Sequence, residues 1–426
     1  MHPTTIQSAR ERTMRIEPMM KCLMITLLCS LCLIGTAALA VETPIKIGLL
    51  EDSTGDFAAA GIPKVHGVEL AVAEINAHGG VLGRKLEIIY YDTQSDNRRY
   101  QEFARRVIYQ DKVDVLFGAF SSASREAVRP IVDQAKQLYF YNNEYEGGVC
   151  DKNVFFSGEV PDQVLSKLVP WTMDRFGKNV YTIAADYNFG QISAEWIRKF
   201  VAEHHGKMVG QEFIPLSVSQ FNQTISNIQA AKPDILMTLM IGANQVSFFQ
   251  QAAAANLTTP MASFVNGPTF YEHKQLPPPA MNNMYIAANY MEELDTPENH
   301  AFVGRWHAKY PNEKYISQVG EDSYVGVYLY VKGVEKAGTT EKAAVIKALE
   351  SGGMCVNAPE GQVCVDPKTH HTSHTISLMQ VLPNHSLKRL EVWKGVQPSW
   401  LAEAGCDLTK HADQSQYTPS NPPSRK

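Results

Sequence analysis

Short apolar runs alternate with stretches of helical period along much of this 426-residue chain. Few folds accept that pattern. The spacing predicts strands at 45–50, 86–91, 113–117 and 138–141, separated by helices at 65–77, 99–109 and 125–136. Strands that feed helices in this order build a parallel sheet with right-handed crossovers. A second series follows, with strands at 180–185, 208–214, 235–239 and 261–264 and helices at 191–204, 221–231 and 246–255. A helix over 163–175 carries Pro170, which predicts a kink or break. Two such units predict two lobes.

The pattern then changes. A strand is expected at 284–287 and helices at 298–309, 322–337 and 341–350. Residues 361–392 read as antiparallel strands, and the polar tail from Asp407 reads as disordered. The fold class is therefore α/β, with two doubly wound parallel-sheet lobes.

Parallel sheets present ligand sites beyond the carboxyl ends of their strands. The richest such joint is VDVLFGAFSSASREAVRP, residues 113–130. Its buried strand delivers Ser121, Ser122 and Ser124 to the start of a helix. Hydroxyls and unpaired N–H groups there suit a carboxylate or carbonyl oxygen. The plain alternative is that Ser124 only caps the helix.

The ends of the chain bear on its destination. Lys21 closes a mildly basic region, an apolar stretch spans 22–39, and Ala38-Leu39-Ala40 offers an A-x-A cleavage site. Residues 1–40 read as a signal peptide cleaved after Ala40, with Met19 or Met20 as alternative starts. Cys29 and Cys32 lie inside it and lack the small preceding residue of a lipoprotein site. The formal charge of the chain is −5, and residues 1–40 contribute four basic and two acidic groups. The remainder is acidic, which excludes a basic nucleic-acid footprint.

Four cysteines follow the signal, an even count that predicts disulfides with three connectivities open. Cys355 and Cys364 flank a turn and make a local pair, leaving Cys150 with Cys406. No zinc spacing survives, and no nucleotide-binding or hydrolase motif occurs. His370, His371 and His374 form the one dense histidine group, but they fall in a predicted polar turn and strand. No metal or cofactor is expected. Asp186 beside Tyr187 reads as a helix cap or as a residue that holds the loop, because catalysis needs a matched partner. An enzyme is not expected.

The segments IKIGLL, GVELAVAEINAHGGVLGRKLEIIYYD and FGAFSSASREAVRP resemble the type I periplasmic solute-binding proteins of ABC importers (the periplasmic binding protein-like I fold). SSASREAVRP, YNNEYEGG, ADYNFG and APEGQVCVDPKTHH resemble the branch that binds urea and short-chain amides. The resemblance spans residues 45–393 and implies two lobes joined by three crossover strands near 158–161, 285–290 and 351–355. Lobe 1 would be 41–158 plus 290–352, lobe 2 would be 159–285 plus 353–400, and 401–426 a C-terminal tail. It also implies a secreted, periplasmic monomer whose partners are a small ligand and permease subunits.

Carried over by motif, Phe120 and Ser122 would line the cleft, with Tyr141, Asn143, Glu144 and Tyr145 beside them. Tyr187 would reach in from the second lobe, and Asn266 would lie on the loop that closes the pocket. Two residues depart from the amide branch: Asn142 replaces a proline, and Glu144 replaces a neutral residue. Amino-acid binders of the superfamily hold the ligand carboxylate on a similar serine loop and the ammonium on an acid near 265–269, where this chain has none. The expected ligand is a neutral amide or urea, with Glu144 a solvated loop carboxylate. A branched-chain-type amino acid, with Glu144 supplying the acid, is the alternative, and a periplasmic sensor role is a second one.

Overall fold

The computed structural model describes residues 43–242 and 244–423, besides Met1. The expected signal peptide and its cleavage site lie outside these residues. Among the described residues no helix is long and apolar enough to cross a membrane.

The first lobe is built on a five-stranded sheet. Its strands are β1 (Ile45–Glu51), β2 (Leu86–Asp92), β3 (Val115–Gly118), β4 (Tyr139–Tyr141) and β6 (Val154–Phe156), in the order β2-β1-β3-β4-β6. All neighbours are parallel. Helices α1 (Ala58–Ala77), α2 (Asn97–Tyr109) and α3 (Ser122–Ala135) make the crossovers. The strand order turns back between β1 and β3, so the loops after these two strands diverge and open a crevice.

The second lobe has a nine-stranded mixed sheet. Its parallel part comprises β7 (Asn179–Ala185), β8 (Lys207–Ile214), β9 (Ile235–Leu239), β10 (Met261–Ser263) and β11 (Tyr285–Ala288). Here the order turns back between β7 and β9. Antiparallel strands β12 (Cys355–Ala358), β13 (Gly361–Val365), β14 (Thr372–Val381) and β15 (Leu387–Val396) extend it from β11. The connecting helices are α4 (Pro161–Phe176), α5 (Asn188–Glu203), α6 (Asn222–Ala231), α7 (Asn244–Ala254) and the short α8 (Glu272–Gln275). Helices α9 (Pro297–Lys309), α10 (Gln318–Ala337) and α11 (Lys342–Leu349) come next, and α10 packs along α1. That packing is close: a Cβ on Gly67 would stand 2.1 Å from the Gly320 carbonyl oxygen.

The same device recurs near the starts of α1 and α5. A Cβ on Gly61 would meet the Asp52 carbonyl oxygen at 2.0 Å, and one on Gly190 the Ala185 carbonyl oxygen at 2.1 Å. Only glycine lets these helices press on the strand ends and so narrow the crevice.

Three expectations need correction. Helix α1 begins at Ala58 rather than residue 65, with Pro63 inside it. Helix α4 runs unbroken through Pro170. A proline costs a helix about 3 kcal/mol. The α4 face of Val164, Leu165, Leu168, Val169 and Met173 is buried, and each large apolar side chain returns about 1.5–3 kcal/mol.

The tail is not disordered through residue 423. Helix α12 (Ser399–Ala404) precedes Cys406, which is bonded to Cys150, and β16 (Gln414–Gln416) pairs antiparallel with β5 (Val149–Asp151). Composition made this segment look solvated, but its backbone groups are satisfied by β5. Cys355 and Cys364 form the second disulfide and face each other across β12 and β13.

Candidate functional site

Loops beyond the carboxyl ends of the strands of both sheets meet along a seam between the lobes. The first lobe supplies residues 52–57, 119–122 and 142–146, and the second supplies Tyr187 and residues 266–272.

The serine loop is a cap before it is anything else. Ser121 is the N-cap of α3: its Oγ accepts from the Ser124 N–H at 3.0 Å and donates to Ser124 Oγ at 2.9 Å. Ser124 Oγ in turn donates to the Ser121 carbonyl at 2.7 Å. Both hydroxyls are thus used locally, and the cap is Ser121 rather than Ser124. Ser122 donates its hydroxyl to Glu146 Oε2. The first-turn N–H groups of Ser122 and Ala123 have no intrahelical acceptor.

Glu146 is a hub. Its other oxygen pairs with Arg125 Nη2 at 2.6 Å and accepts from Gln416 Nε2 at 2.6 Å. Its backbone carbonyl accepts from Trp196 Nε1 of α5 at 3.0 Å, which ties the first lobe to the second. The Arg125 guanidinium lies over the rings of Tyr141 and Tyr145, 5.2 and 4.7 Å from their centroids. Both tyrosines are fully buried. Tyr141 donates to the Phe120 carbonyl at 2.5 Å. Tyr145 O–H lies 2.5 Å from His371 Nε2, and His371 Nδ1 lies 2.8 Å from the Thr369 carbonyl. Nδ1 therefore carries the imidazole proton and Nε2 accepts from the phenol. Burial pushes the His371 pKa down to about 3, so the ring stays neutral.

Asn143 bridges Lys64 to this group. Its Oδ1 accepts from Lys64 Nζ at 2.8 Å, and its Nδ2 donates to Tyr141 Oη at 3.1 Å. Lys64 also donates to the Ala119 carbonyl at 2.6 Å and pairs with Glu51 at 2.9 Å. Asn266 is buried and bonds within the second lobe, to the Met240 carbonyl at 2.8 Å and Gln245 Oε1 at 2.6 Å.

Phe120 stands at the seam itself. Its ring lies 5.4 Å from Phe57 of the first lobe and 5.9 Å from Phe270 of the second. Tyr187 is the half-buried N-cap residue of α5. Asp186, its neighbour, is exposed and accepts from Gln191 Nε2 at 3.0 Å.

The expectation of a solvated Glu144 is overturned, since the residue is 3% exposed. Its Oε1 accepts from Thr269 Oγ1 of the second lobe at 2.6 Å, and its Oε2 is buried without a partner among the described residues. The loop folds back beneath the second lobe, which a one-chain reading of polarity does not foresee. Burial pushes its pKa up to about 7, while the Thr269 hydroxyl and the Lys64 charge pull it partly back.

Behind Glu144 lies a buried chain of acids and amides. Gln318 Nε2 donates to Glu159 Oε2 and, at 2.6 Å, to Asn289 Oδ1. Asn289 Nδ2 donates to Asp322 Oδ1 at 2.8 Å. Burial and the Glu144 charge push the Glu159 pKa up to about 8.

The three histidines go separate ways. His370 stacks on Phe155 at 4.0 Å and bonds Glu350, while His374 Nδ1 bonds Glu360 at 2.6 Å. Among the described residues, no group of three or more His, Cys, Asp or Glu is placed to hold a metal.

Sequence reasoning missed Thr269, Phe270, Phe57, Lys64 and Glu146. Only Lys64 left a signal, a lone lysine on the helix face that carries Ala60, Val68 and Ala71.

Two doubly wound lobes meeting across a seam of loops define a two-lobed solute receptor. The chain belongs to the periplasmic binding protein family, whose model matches residues 44–386. Members of this family bind solutes and are not enzymes. The Leu/Ile/Val-binding protein homolog 6 of Brucella melitensis is 23% identical over 353 residues, covering 81% of this chain and 89% of the relative. Homolog 7 of Brucella abortus is 26% identical over 343 residues, covering 76% and 84%. An ABC-transporter solute-binding protein of R. palustris, solved in complex with 4-hydroxybenzoate, superposes with a TM-score of 0.74 at 21% identity. It covers 84% of this chain and 98% of that one. A leucine-binding protein from Thermotoga maritima gives 0.71 at 17% identity, covering 82% and 99%.

Proposed function

We propose that the chain is the solute-binding component of an ABC importer. It takes a small amide- or urea-like solute into the seam between the lobes, and works as a periplasmic monomer released by cleavage after Ala40. One observation carries the ligand reading: Glu144 Oε2 is buried at the seam without a donor. A buried acceptor left unpaired costs about 1–3 kcal/mol, so a solute that brings an N–H group recovers that cost. The solute oxygen would take the Ser122 and Ala123 N–H groups at the start of α3, where the helix dipole favours it. Phe120, Phe270 and Tyr187 would supply its faces.

An amino acid is the second reading. Two observations favour it: the relatives are named as Leu/Ile/Val-binding homologues, and Glu144 is buried where an ammonium would find it. The neutral-ligand expectation joined an acid-free 265–269 loop and a serine loop that holds one oxygen to a solvated Glu144, and the last of these is gone.

A thermal-shift screen of acetamide, urea, leucine, isoleucine and valine tests the proposal. A raised midpoint with acetamide or urea supports the first reading, and one with the amino acids alone supports the second. Mass spectrometry of exported protein beginning at Val41 checks the cleavage site.

A further inference from the structure

Most seam hydroxyls are committed, while several buried oxygens keep no donor among the described residues; Arg125 Nη1 and the Ser122 and Ala123 N–H groups are donors without an acceptor on the first-lobe side. The Ser122 hydroxyl goes to Glu146, the Ser121 hydroxyl to Ser124, the Tyr141 hydroxyl to Phe120 and the Thr269 hydroxyl to Glu144. Lys64 has three N–H groups and three acceptors, Glu51, Ala119 and Asn143. Against this, Glu144 Oε2, Glu159 Oε1, Gln318 Oε1 and Asp322 Oδ2 are buried without donors. Gln318 sits against the closing loop, its N–H bonded to the Pro268 carbonyl at 3.1 Å. A solute that completes this arrangement has to donate.

Charge points the same way. Lys64 is committed to Glu51 and Arg125 to Glu146, while no ion pair reaches Glu144, Glu159 or Asp322 among the described residues. The aromatic rings of Phe57, Phe120 and Phe270 border the same seam, and aromatic faces attract cations.

We propose that the solute is a planar N–H cation, of the guanidinium or amidinium class, with the shape of urea or an amide but a nitrogen in place of the oxygen and a positive charge. This rests on the proposed function, since it assigns the charge of the solute in that same seam. Glu144 is its counter-ion. The titratable groups that act on or with Glu144 are Lys64 of α1, Tyr141 of β4, Tyr187 of α5, Glu272 of α8, Asp322 of α10 and Glu159. Lys64 alone among them is basic. Capture of a cation therefore pulls a proton off Glu144 when the solution lies below its raised pKa.

Calorimetry of the mature protein with guanidinium chloride, acetamidinium chloride, urea and acetamide, each at millimolar concentration, tests this. The wild type should bind each cation at least about 30-fold more tightly than its neutral counterpart. The gap should narrow as pH falls from about 8 to about 6, with proton release seen as a buffer-dependent binding enthalpy. Glu144→Gln should lose the cation preference. Equal or tighter binding of urea and acetamide by the wild type, at all pH values, overturns the cation and leaves the proposed function standing. Failure of all four solutes overturns both. The wild-type pH series decides the matter even if Glu144→Gln does not fold.

Discussion

Thr269 donates its hydroxyl to Glu144 across the seam at 2.6 Å, joining a loop of one lobe to a loop of the other. The bond meets only one carboxylate oxygen, and burial still holds the Glu144 pKa up at about 7 against an ordinary 4.5. A carboxyl whose folded pKa is raised binds a proton more tightly in the folded state. Stability then falls as pH rises from about 4.5 to about 7, and is flat above. Ligand-free Glu144→Gln escapes this cost. Its melting midpoint should exceed that of wild type at about pH 8, by up to about 3 kcal/mol in stability, and the difference should vanish near pH 4.5. Scanning calorimetry across that range measures it.

Glu146 neutralises Arg125 where both are fully buried. Glu146→Gln leaves the guanidinium only the partly exposed Glu126, 2.9 Å from its Nε, and should cost up to about 3–5 kcal/mol. Pairing it with Arg125→Met should recover part of that loss. Ser122→Ala removes a hydrogen bond to the same carboxylate and should cost about 1.5–3 kcal/mol, so this serine contributes to stability besides its proposed place in the site. Thermal midpoints of the variants check all three.

Tyr187 differs from the buried tyrosines. It is half-buried at the start of α5. Tyr187→Ala should weaken solute binding by about 5–150-fold while moving the melting midpoint less than Tyr141→Ala does. Calorimetric titration beside thermal melts separates the two effects, and a large midpoint loss for Tyr187→Ala would count against its place in the site.

Non-reducing peptide maps should recover Cys150–Cys406 and Cys355–Cys364. Replacing both members of the first pair with serine should cost about 2–5 kcal/mol. The second pair closes a short loop within one hairpin and should cost less, since shorter loops lose less chain entropy.

The two-lobe alternation was legible because parallel strands buried on both faces leave continuous apolar runs, as in β3 with all four residues buried. The serine loop was legible because it follows such a run. The Glu144–Thr269 contact was not, because the two are 125 positions apart and polarity alone puts both in solvent. The tail failed for a related reason: its polar residues bond to β5 and to Glu146, which no local pattern reveals. Tyr141 and Tyr145 were found as a motif, but their rings flank Arg125 inside the first lobe.

The Cys150–Cys406 bond spans 256 positions of sequence, and β16 reaches its partner β5 from still further along. A ribosome has to reach residues 406 and 414–416 before Cys150 and β5 have their partners. Until then β5 is an open edge, the Glu146 hub lacks Gln416, and the second lobe has already been made. The order of synthesis therefore makes residues 406–416 dock after both lobes are made, and the shelter of that edge waits on their arrival.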